Sequence, residues 1–87
     1  MTTSSPHRIL VVDDDPDLRD LLVTYLGTNG FAVSSANDGN AMWAALEAGM
    51  PDAIVLDLML PGEDGLALTR ALRVKSSVPI LMLSARG

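Results

Sequence analysis

The 87-residue chain has no cysteine, which excludes a disulfide scaffold, a thiolate metal site and a thiol nucleophile. Oxygen ligands and carboxylate chemistry remain. Basic residues are scarce: six Lys and Arg stand against eleven Asp and Glu, and the net charge of −5 opposes approach to a phosphate backbone. Nucleic-acid binding by this segment is therefore disfavoured. Aromatic residues make up 3%, too few for a base-stacking platform, and Trp43 and Tyr25 read as helix packing. No apolar run is long. The longest uncharged one, Ala41 to Leu46, is too short to span a bilayer, and Thr2-Thr3-Ser4-Ser5-Pro6 lacks the apolar region of a signal peptide. A soluble protein in the cytoplasm, with no membrane contact, is expected.

Hydrophobic residues make up 48% of the chain, enough for the core of one small domain, and its length leaves no room for a second. A polar arm, residues 1–7, precedes it and holds the single histidine, His7, which reads as solvated. Ile9-Leu10-Val11-Val12 is a continuous aliphatic run, the mark of a strand buried on both faces as in a parallel sheet. Asp13-Asp14-Asp15-Pro16 ends it. Asp15 suits the cap of a following helix, Pro16 its first turn, and Asp17 the positive end of its dipole. Leu18, Leu21, Leu22, Tyr25 and Leu26 form one apolar stripe, with Arg19, Asp20 and Thr24 facing water and Gly27 or Gly30 closing the helix.

The pattern then repeats. Phe31 to Ala36 alternates like a partly exposed edge strand, and Ala41 to Ala48 is a helix burying Met42, Ala45 and Leu46. Ala53-Ile54-Val55-Leu56 is a third strand, stopped by Asp57. A loop carries Pro61, Gly62 and Gly65, a third helix runs from Leu66 to Val74 presenting Leu68, Ala71 and Leu72, and Ile80 to Leu83 is a fourth strand. Arg70, Arg73 and Lys75 read as the solvated basic end of that helix. The order β-α-β-α-β-α-β with short connections predicts an α/β fold, a doubly wound parallel sheet with right-handed crossovers.

In such sheets ligands bind beyond the carboxyl ends of the strands, where the winding reverses. The acids fall there. Asp13 and Asp14 follow the first strand, Asp57 the third and Ser84 the fourth. With the flavodoxin-like order 2-1-3-4, three carboxylates converge. Two of them about 4 to 5 Å apart repel by roughly 3 to 4 kcal/mol at an effective dielectric of about 20, so a cation is required between them. Hard oxygen ligands without nearby His or Cys point to Mg²⁺. A carboxylate beside Mg²⁺ is equipped to attack a phosphoryl group. Ser84 and the backbone N–H groups of Met59 and Ala85 are placed to bond the phosphoryl oxygens, with the small Ala85 leaving room.

These residues resemble the receiver domain of bacterial two-component response regulators. The likeness runs from Arg8 to Gly87 and rests on Ile9-Leu10-Val11-Val12-Asp13-Asp14-Asp15, on Asp57-Leu58-Met59-Leu60-Pro61-Gly62 through Gly65, and on Pro79-Ile80-Leu81-Met82-Leu83-Ser84-Ala85. It implies that Asp57 accepts phosphate from a sensor histidine kinase or a small phosphodonor. Mg²⁺ would be held by Asp14 directly, by Asp13 largely through water, by Asp57 and by the Met59 backbone carbonyl, with Ser84 as the switch hydroxyl and Ala85 contacting the phosphate. The loop wording Leu60-Pro61-Gly62-Glu63-Asp64-Gly65 is most similar to the branch with a winged-helix DNA-binding domain downstream, so DNA would be met only through that output domain.

A complete receiver continues through a fourth helix, a fifth strand with a phosphate-pairing lysine, and a fifth helix, and Lys75 is misplaced to substitute. The expectation is an incomplete receiver over residues 8–87, or a subunit whose last strand pairs across a homodimer by strand or element exchange. Such a module is a switch rather than an enzyme of the usual kind. Two rival readings stand beside it. One is a Mg²⁺-dependent phosphohydrolase with Asp13 as nucleophile and Asp15 as general acid, which lacks a basic phosphate-binding residue after a strand. The other is a non-phosphorylated dimerisation module. A flavin site is disfavoured, because the loop after the first strand is acidic where a phosphate cradle would be rich in glycine and hydroxyls.

Overall fold

A computed structural model describes residues 7–83 of the chain. The first apolar run forms β1 (Arg8–Val12), and α1 (Pro16–Thr28) starts where Asp15 caps it. The Asp15 carboxylate accepts hydrogen bonds from the N–H groups of Asp17 at 3.0 Å and Leu18 at 3.4 Å, satisfying donors that the first helical turn leaves free. The helix runs through Gly27 to a cap at Asn29, and Gly30, at φ +94°, turns the chain toward β2 (Ala32–Ala36). α2 (Gly39–Ala48) begins two residues before Ala41 because Asp38 is its cap, accepting from the Ala41 N–H at 2.8 Å. β3 (Ala53–Asp57), α3 (Gly65–Lys75) and β4 (Ile80–Leu83) complete the described elements.

All strand pairs are parallel and the order is β2-β1-β3-β4, the flavodoxin-like winding expected from the sequence. Each interior strand is apolar on both sides because both faces are covered. Leu10, Val12, Ile54 and Leu56 pack with Met42 and Leu46 of α2 and Leu72 of α3. On the other face Ile9, Val11 and Val55 meet Leu22 and Leu26 of α1. Each fully buried aliphatic side chain contributes about 1.5 to 3 kcal/mol. Their burial fixes the register, since a slip of one residue would exchange the two faces.

Two expectations need correction. Of the proposed α1 stripe only Leu22 and Leu26 reach the core; Leu21 and Tyr25 are each 63% exposed. Among the described residues α1 alone covers its face of the sheet, so no second helix shields its flanks. Arg19 does not simply face water: it is half-buried, with its guanidinium on a backbone carbonyl at the site. Arg73 is exposed at the end of α3 as read, and in addition donates from Nη1 to the Val78 carbonyl at 2.5 Å, closing the turn into β4. Other readings hold. Trp43 packs beside the core, with the Lys75 ammonium 5.0 Å above its ring, and His7 is exposed. β4 pairs only with β3 among the described residues, and Leu81 is 61% and Met82 46% exposed. No helix among the described residues is long and apolar enough to cross a membrane.

Candidate phosphoacceptor and metal site

The register of β1 on β3 sets Val12 opposite Leu56, so the next residue of each strand, Asp13 and Asp57, emerges at the same edge of the sheet. Asp57 is still the last residue of β3, and pairs in register with Leu83 of β4. Both acids are buried, Asp13 at 2% exposure and Asp57 at 4%, while Asp14 is exposed. One carboxylate oxygen from each of Asp13, Asp14 and Asp57 lies within 4.8 Å of the others. They open on a cleft of about 650 Å³, with Asp15 before α1, Leu18 and Leu22 within it, Met59 and Leu83 forming the rest of its wall.

The hydrogen bonds divide the oxygens into used and unused. Asp13 Oδ1 accepts from the Asp15 N–H at 2.9 Å, and Asp57 Oδ1 accepts from the Met59 N–H at 2.8 Å. Asp13 Oδ2 is buried and has no hydrogen-bond partner. An unpaired carboxylate oxygen away from water costs several kcal/mol unless a charge of opposite sign meets it. Burial pushes the Asp13 carboxyl above the usual carboxylate range, the charges of Asp57, Asp14 and Asp15 push the same way, and the Asp15 N–H offsets them in part. No Lys or Arg pairs with a carboxylate among the described residues. An orphaned oxygen, an acidic cluster and no organic cation give the donor set of a hard divalent ion, and the residues present fit it.

Asp15, the general acid of the phosphohydrolase reading, has its carboxylate engaged as the α1 cap. The Met59 side chain is exposed while its N–H is held by Asp57. Ser84 and Ala85 lie outside the described residues. Sequence reasoning missed three supports. Arg19 Nη1 donates to the Asp13 carbonyl at 2.8 Å. Its signal was an arginine in the first turns of a helix, where the dipole disfavours a positive charge. Glu63 Oε2 accepts from the Gly39 N–H at 2.9 Å, tying the loop after β3 to the start of α2. Gly65 lies so close to the loop that a Cβ there would come within 2.6 Å of the Leu58 Cα.

The fold and site together define a doubly wound α/β domain with a carboxylate cluster at the switch point of its sheet. The family model for the response regulator receiver domain matches residues 9–87, and the chain belongs to that family. It is 48% identical over 87 residues to protein PetR of Rhodobacter capsulatus, covering 100% of this chain and 37% of PetR. It is 47% identical over 80 residues to the DNA-binding response regulator MtrA of Mycolicibacterium smegmatis, covering 92% of this chain and 35% of MtrA. The chain thus spans little more than a third of the length of the curated relatives it matches. Among solved structures, the BeF₃-activated N-terminal receiver domain of Klebsiella pneumoniae RstA superposes with a TM-score of 0.85 at 35% identity, covering 92% of this chain and 68% of that one.

Proposed function

We propose that this receiver domain is a phosphoryl-accepting switch in which Asp57 is the acceptor and Asp13, Asp14, Asp57 and the Met59 backbone carbonyl hold Mg²⁺. The observation that carries this reading is Asp13 Oδ2, buried and without a partner beside two other carboxylates. When bound, the ion neutralises charge on the transferring phosphoryl oxygens. Asp57 supplies the nucleophile: a carboxylate oxygen forms the new bond to phosphorus as the bond from phosphorus to the donor's nitrogen or oxygen breaks. The Met59 N–H, already on Asp57 Oδ1, holds the carboxylate in one orientation. Leu18, Leu22 and Leu83 line the cleft beside it.

Residues 8–87 form the receiver unit, with Ser84 as the switch hydroxyl and Ala85 contacting the phosphate. The donor is a sensor histidine kinase or a small phosphodonor such as acetyl phosphate, which places the chain in the cytoplasm. The output is transcriptional, exerted through a DNA-binding domain and a homodimer; the likeness to the DNA-binding response regulator MtrA supports the DNA-binding part of that reading. The test is intact-mass analysis after incubation with acetyl phosphate and Mg²⁺. The parent gains one phosphoryl group, and Asp57→Asn gains none. Equal labelling of Asp57→Asn overturns the assignment, and labelling lost instead in Asp13→Asn but kept in Asp57→Asn favours the phosphohydrolase arrangement.

A further inference from the structure

Arg19 stands at the fourth position of α1, close in sequence to Asp13, Asp14, Asp15, Asp17 and Asp20, yet forms an ion pair with none of them. Its half-buried guanidinium instead donates from Nη1 to the backbone carbonyl of Asp13 at 2.8 Å. That carbonyl belongs to the peptide joining Asp13 to Asp14, so the contact fixes the plane from which the Asp14 carboxylate projects. Asp13 is tied at two other points, its N–H to the Ala36 carbonyl at 3.1 Å and its Oδ1 to the Asp15 N–H at 2.9 Å. Asp14 is exposed and its side chain makes no hydrogen bond among the described residues. A positive charge so near the start of a helix opposes the dipole, so helix formation does not account for arginine here.

We infer that Arg19 is a positioning residue: by clamping the Asp13–Asp14 peptide it aims the Asp14 carboxylate into the acid cluster without itself occupying any carboxylate oxygen of Asp13, Asp14 or Asp57. The inference rests on the reading of that cluster as a cation site. It carries a sign that distinguishes it from the plain effect of charge. Removing a nearby positive charge would by itself tighten cation binding. Removing a clamp loosens it.

The test titrates Mn²⁺ into the 87-residue chain and follows the free ion by electron paramagnetic resonance, a readout independent of phosphorylation. Arg19→Gln is expected to bind Mn²⁺ about three- to tenfold more weakly, the range that the loss of one hydrogen bond gives. Arg19→Lys, which keeps the charge without the planar fork, falls between it and the parent. Leu26→Ala, which loosens the packing of α1 on the sheet away from the cleft, keeps the parent affinity. Equal or tighter binding by Arg19→Gln overturns the inference, as does equal weakening by Leu26→Ala. Should Arg19→Gln fail to fold, Arg19→Lys alone decides, weaker binding supporting the clamp and equal or tighter binding overturning it. A parent chain that binds no Mn²⁺ rejects the cation site itself, and this role of Arg19 with it.

Discussion

Asp13 and Asp57 are buried because each directly follows or ends a strand whose neighbours are apolar on both faces, so the sheet carries them out of water with it. Asp13 bears the larger cost. Its raised carboxyl pKa means that the native chain holds that proton more tightly than the unfolded chain does. Without a divalent cation, this group therefore lowers stability as pH rises from the ordinary carboxylate range through its raised value, and the loss levels off above it. Asp13→Asn removes the charge and nearly keeps the shape. In EDTA at about pH 7 the variant is expected to melt above the parent, and the gap to narrow on acidification toward the ordinary carboxylate range, as the native carboxyl takes up its proton. Thermal unfolding across that range checks it, and a gap that widens on acidification would contradict the assigned direction.

At the scale of elements, the joint between β3 and α3 sets the site. The chain must leave Asp57, turn through Leu58 to Asp64 and start α3 with Gly65 against the Leu58 backbone. Gly65→Ala places a Cβ 2.6 Å from the Leu58 Cα and 2.9 Å from the Leu58 carbonyl oxygen, and backbone cannot rotate aside as a side chain can. It is expected to cost about 1 to 3 kcal/mol in urea unfolding, as overpacking does, and to slow phosphoryl uptake by Asp57 because the displaced loop begins at that residue. Gly62→Ala, where a Cβ would meet nothing but φ is +70°, should cost less than Gly65→Ala.

Most of this scale was legible in the sequence. Three aliphatic runs ending in an acid or a serine, an alternating strand between the first two, and the cap at Asp15 located the strands, the winding and the three carboxylates, since burial on both faces leaves a pattern that hardly depends on context. Arg19 on the Asp13 carbonyl, Arg73 on the Val78 carbonyl and Glu63 on the Gly39 N–H were not legible as contacts. Each joins a long, flexible side chain to a backbone group, and spacing along the chain does not encode where such a side chain goes. The exposure of Leu21 and Tyr25 was missed for a related reason: periodicity shows which residues share a helix face, not how much of that face a neighbour covers.

For the whole molecule, charge and edge decide behaviour in solution. A chain of net charge −5 with three converging carboxylates gains stability from a cation that binds the native state alone. At about one hundred times its dissociation constant the ion adds about 2.7 kcal/mol, so Mg²⁺ is expected to raise the melting temperature, and Asp57→Asn to blunt the rise. The sheet supplies the opposing tendency. Among the described residues β4 is paired on one side only, and Leu81 and Met82 expose large apolar side chains along it. A free parallel edge with unpaired backbone groups is a template for another chain. Self-association of the 87-residue chain should therefore deepen with concentration in sedimentation velocity, against the repulsion of its like charges, and strengthen with salt as that repulsion is screened. Leu81→Lys puts a charge on the edge without touching the acid cluster. It is expected to shift the distribution toward monomer while leaving the Mg²⁺-dependent rise in melting temperature intact; a monomeric parent at every concentration would show instead that charge already protects the edge.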